Sequence, residues 1–149
     1  MTGTNHGMTG AVIAFLVKDP LLAIPLSFAS HFACDAIPHF GVEDGKLFGR
    51  KFNIILVADF LIAVSLMVLF GIWFPGERLL IWACMIAAAS PDLMWAYYEL
   101  YVQFINKRKP QFGPLARFHV WIQWSQTAKG VSVEVFWFLL MGLTVISRR

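Results

Sequence analysis

His31 and Asp35 stand four residues apart in the stretch Ser30-His31-Phe32-Ala33-Cys34-Asp35-Ala36-Ile37-Pro38-His39. On a helix that spacing projects both side chains from one face, about one turn apart. His39 comes four residues later, just past Pro38, where a helix is expected to end. Imidazole nitrogens and a carboxylate oxygen make a donor set for a divalent cation such as zinc. The same pair also suits a buried hydrogen bond that fastens helices together. The spacing by itself leaves both readings open.

The acids add a second signal. Of the nine acidic residues, Asp35, Asp59, Asp92, Glu99 and Glu134 fall inside apolar segments. A charge at the centre of a bilayer costs about 2.5–3.5 kcal/mol on the most lenient scale, so such residues are expected to be paired, protonated or bound to a cation. Asp92 follows Pro91, where a kink would free backbone and aim the side chain inward. Glu99 lies two helical turns further on the same face. Asp59 is alone in its segment and either pairs with a base or faces the site. Glu134 opens the last apolar segment, where an acid also complements the helix dipole.

The elements that must position these groups follow from hydropathy. The chain is 58% hydrophobic and 14% charged, with mean hydropathy +0.66. A soluble domain carries about a quarter charged residues, and a small one leaves much of its surface in water. The expected fold is therefore all-α: one integral membrane domain over residues 1–149, a polytopic bundle with about five apolar helices and one interfacial helix. The apolar runs are Met8–Val17, Leu21–Ile37, Phe52–Trp73, Leu79–Ile105 and Val131–Ile146. The first is too short to span, and the first two, joined at Lys18-Asp19-Pro20, read as a tight, partly re-entrant hairpin. Pro91 predicts a kink in the fourth. Pro114–Gln126, with Phe118, Trp121 and Trp124, reads as the interfacial helix. Gly3, Gly7 and Gly10 suit close helix packing. Folding the hairpin back brings His6, His31 and His39 to one side, with His119 of the interfacial piece on that side too.

Several classes are excluded. There is no Walker pattern, dinucleotide fingerprint or nucleophile elbow. The net charge of +3 comes from basic residues in loops beside apolar runs, a membrane pattern rather than a nucleic-acid one. Cys34 and Cys84 lie in apolar segments and read as free thiols. The start of the chain lacks the basic region of a cleavable signal peptide. The loops Gly41–Lys51 and Asn106–Lys129 hold eight Lys or Arg against four elsewhere, which places that side and the N-terminus in the cytoplasm. Arg148-Arg149 on the other side works against this orientation.

These residues carry a resemblance. Asn5-His6-Gly7-Met8-Thr9-Gly10, the run from Ser30-His31 through Asp35-Ala36-Ile37-Pro38-His39, and Ser90-Pro91-Asp92 resemble the YdjM-like family of small bacterial inner-membrane proteins, described as membrane-bound metal-dependent hydrolases. The likeness covers mainly the first forty residues and the later short motif. A fuller Pro-Asp-x-Asp-His run and a later His-Arg-Gly-x-Thr-His-Ser motif are absent here. The resemblance implies a divalent metal, zinc by its donors, held by His6, His31, Asp35 and Asp92, with His39 or His119 as a further ligand or outer support. Glu99 or His119 is then expected as general base on a metal-activated water. The expected substrate is a lipid or other amphiphile met in the bilayer, with no nucleic-acid partner. A cation- or proton-binding transport protein using Asp59, Asp92 and Glu99 is the alternative, and a structural protein with polar packing groups is a third.

Overall fold

The computed structural model describes residues 1–41, 50–107 and 111–149, and within them the side chains of all but Lys51, Glu99, Leu100, Gln103 and Phe104. Most of the polar loop after Gly41, together with Arg108 and Lys109 of the basic loop, lies outside the described residues.

Thr2 has extended backbone and its hydroxyl accepts from the Asn5 amide, which starts helix α1 at Gly3 (Gly3–Val17). The helix therefore begins well before the apolar run that opens at Met8. The polar residues of this first turn are buried because two acids from other helices meet them. Asp59 accepts from the amides of Gly3 (2.7 Å) and Thr4 (3.0 Å). Glu134 accepts from the Thr2 amide (3.1 and 3.2 Å), the Thr2 hydroxyl and the Asn5 side-chain amide. The first amides of a helix have no partner within it and attract negative charge.

Lys18 takes a left-handed conformation (φ 59°) and returns its amide to Ala14, which closes α1. Asp19 then caps helix α2 (Pro20–Asp35), with Pro20 in the first turn. These features build the expected hairpin. Helices α3 (Arg50–Trp73) and α4 (Arg78–Ala89) follow. Pro91, which has no amide to donate, falls in a tight 3-10 turn, Ser90–Asp92, at the kink expected there. A short helix α5 (Leu93–Ala96) leads into a wide π-type coil, Tyr97–Ile105. Helix α6 (Pro114–Ile122) corresponds to the interfacial piece, with Trp121 and Trp124 exposed. Helix α7 (Val131–Ile146) ends the described chain's regular structure.

Helix α1 is the centre of the bundle and packs on α2, α3, α4 and α7. A side chain at Gly10 would overlap the Cys84 carbonyl, so this glycine lets the backbones of α1 and α4 touch. Met8, Ala11, Phe70, Phe74, Ile81, Met85 and Val145 fill the core around them. A two-residue parallel pairing, β1 (His39–Phe40) with β2 (Gln126–Thr127), ties the end of the hairpin to the segment before α7. Gly130 lies against the His39 carbonyl, where a β-carbon would collide with it.

Among the described residues three helices are long and apolar enough to cross a membrane: Phe52–Trp73, Arg78–Ala96 and Ala128–Ile146. Their outer faces carry exposed Phe60, Ile72, Leu93, Leu139 and Leu143. Helix α2 buries Ala23, Ser27, His31 and Asp35 along an i,i+4 stripe and turns Leu21, Leu22 and Phe28 outward.

Candidate metal centre

The buried stripe of α2 ends in His31 and Asp35, and every histidine of the chain converges there. His6 comes from the first turns of α1, His39 from β1 and His119 from α6. All four histidines and Asp35 are at most 1% exposed. Asp92, from the Pro91 turn, completes the cluster and is part exposed.

Asp35 is the hub. Its Oδ2 is 2.8 Å from His119 Nε2 and 3.2 Å from His31 Nε2. Its Oδ1 is 3.1 Å from His6 Nε2 and 4.0 Å from His39 Nε2, and also meets the Met1 amine. His31 Nε2 and His119 Nε2 are 2.9 Å apart. Asp92 stands slightly back, its Oδ1 3.8 Å from His31 Nε2 and 3.7 Å from His119 Nε2.

Ring orientation is set from behind. His31 Nδ1 donates to the Ala88 carbonyl (2.8 Å), so in the neutral ring Nε2 carries the lone pair and faces the cluster. His39 Nδ1 donates to the Ile37 carbonyl (2.8 Å) with the same result. Burial holds the His39 imidazole below its ordinary range, which keeps that lone pair unprotonated. A backbone acceptor behind the ring is the usual support of a metal-bound histidine. Gln123 donates to Asp35 Oδ2 (3.2 Å), and the Trp95 ring lies 5.8 Å from that of His119.

His31, Asp35, Asp92 and His119 can hold a metal ion: one donor atom from each lies within 4.8 Å of all the others. The separations around His31, His119 and the two carboxylates, 2.8–3.8 Å, bracket the edge, about 3.3 Å, of a tetrahedron with ligands at roughly 2.0–2.1 Å. The donors fit the group.

The structure thus groups His119, expected either as a further ligand or as a general base, with the prospective ligands. The Glu99 side chain, the other expected base, lies outside the described residues. Asp59 and Glu134 are engaged at the head of α1 rather than at the cluster. Gln123 was not singled out by sequence; an amide on a short aromatic-rich helix carries no ligand signal.

A cleft of about 110 Å³ adjoins the cluster and is lined by His39, Asp59, Asp92 and Gln123 together with Phe52, Ile55, Leu56 and Trp95. A larger cleft of about 660 Å³ lies at the opposite end of the bundle, between Phe15, Lys18, Phe74 and Arg148, and contains none of the cluster. No protein-family model, curated protein or solved structure matches this chain.

Proposed function

We propose that the protein is a metal-dependent hydrolase embedded in a bacterial inner membrane and acting on a lipid or another amphiphile. The observation that carries this reading is the buried His/Asp cluster opening on a cleft lined by both polar and apolar side chains. Phe52, Ile55 and Leu56 of its lining belong to α3, a candidate span with an apolar outer face. Contiguous exposed apolar surface of this extent marks contact with lipid or a partner. His6, His31, Asp35 and Asp92, the positions of the YdjM-like resemblance, meet in this one cluster, which supports the same reading.

His31, Asp35, Asp92 and His119 would hold the metal, zinc being the cation best suited to these donors. The metal would supply Lewis-acid activation of a water at neutral pH. The protein's own groups prepare that chemistry. The Ala88 carbonyl fixes the His31 ring, and Gln123 steadies the Asp35 carboxylate. Trp95 shields the His119 side. Phe52, Ile55 and Leu56 offer an apolar rest for a hydrocarbon chain while its polar end meets the cluster.

The test is a panel of amphiphilic carboxylic and phosphoric esters in mixed micelles, with products identified by mass spectrometry. Zinc-loaded protein is expected to release product from at least one class, and a His31→Ala/Asp35→Ala variant from none. Bound metal without hydrolysis of any member would reduce the protein to a metal binder.

A further inference from the structure

Asp35 presents its two oxygens to two different pairs of imidazoles. Oδ2 faces His31 and His119; Oδ1 faces His6 and His39. Asp92 repeats the division, with Oδ1 toward His31 and His119 and Oδ2 3.9 Å from His6 Nε2. Each half of the cluster therefore has two imidazole nitrogens and one oxygen from each of two carboxylates. We infer that the site is a two-metal centre, in which Asp35 and Asp92 bridge one ion on His31 and His119 and a second on His6 and His39.

This inference rests on the metal-binding reading above and extends it. One tetrahedral ion needs four protein donors at most, which leaves two buried imidazoles unaccounted for. A packing role does not account for His39 either. Buried polar groups in a packing network find hydrogen-bond partners, yet His39 Nε2 has none and lines the cleft beside Asp92. The rings of His6 and His31 stack with centroids 3.8 Å apart and planes at 22°. The two imidazoles thus enter the cluster side by side, offset by a distance close to that between paired ions, about 3.5–4 Å.

The deciding experiment uses the full chain in detergent, stripped of metal and reloaded with Mn²⁺. About two equivalents by elemental analysis, with an exchange-coupled electron paramagnetic resonance spectrum, is the expected result. A His6→Ala/His39→Ala variant should keep about one equivalent and give the isolated six-line signal. One equivalent with that six-line signal in the wild type would overturn the second ion and leave the first intact. No bound manganese or zinc in the wild type would overturn both. The wild-type spectrum decides the matter even if the double variant fails to fold.

Discussion

The acids divide by what their carboxylates touch, and the division could not be read from residue type. Asp35 and Asp92 face imidazoles, whereas Asp59 and Glu134 face the unpaired amides and polar side chains at the head of α1. Hydrogen bonds to a charged acceptor contribute roughly 1.5–3 kcal/mol when part buried. Asp59→Asn should therefore lower unfolding stability by about 1–2 kcal/mol in a denaturant titration in detergent while metal content stays at the wild-type level. Loss of metal with unchanged stability would move Asp59 into the site. The four-residue spacing of His31 and Asp35 was legible because both lie on one helix. The role of Asp59 was not, because it depends on α1 beginning at Gly3, and apolar periodicity marks only where a helix becomes hydrophobic. His119 was legible as a participant, but its grouping with the prospective ligands depends on how α6 docks.

At the scale of elements, the site depends on close backbone approaches. Gly130 allows the segment before α7 to lie on the His39 carbonyl, and the β1–β2 pairing holds His39 next to it. Gly130→Ala would push β1 away and take His39 with it. The expected outcome is a loss of about 1–3 kcal/mol of stability and roughly a 10–100-fold weaker metal affinity, as for other disturbed supports, measured by competition with a chromophoric chelator. Unchanged affinity would exclude His39 from the site. The long helices were the most legible part of the fold. The run Val131–Ile146 coincides with α7, and Phe52–Trp73 lies within α3. Pro91 announced the break in the fourth segment, but its form, a 3-10 turn and then a π-type coil, follows from how the freed backbone groups find new partners. The two-residue pairing of β1 with β2 left no sequence signal, since pairs so short are set by the loops that meet there.

At the scale of the whole molecule, the cluster lies at the end of the bundle where α1 begins and α2 finishes, and Lys18 and Arg148 lie at the other. By the lysines and arginines of the loops, the cluster end is expected on the cytoplasmic side. Cys34 and Cys84 are buried, so added cysteines report cleanly: Ser147→Cys should react with a membrane-impermeant maleimide applied to intact cells, and Lys107→Cys only after lysis. The reverse pattern would invert the topology, and labelling of both would contradict an integral bundle. The central claim is that burial of four histidines around Asp35 and Asp92 exists to hold a divalent metal. Elemental analysis of detergent-purified protein, prepared without chelators, tests it most directly against the His31→Ala/Asp35→Ala variant. At least one equivalent of divalent metal is expected in the wild type and essentially none in the variant. A metal-free wild type, or equal metal in both, would contradict it.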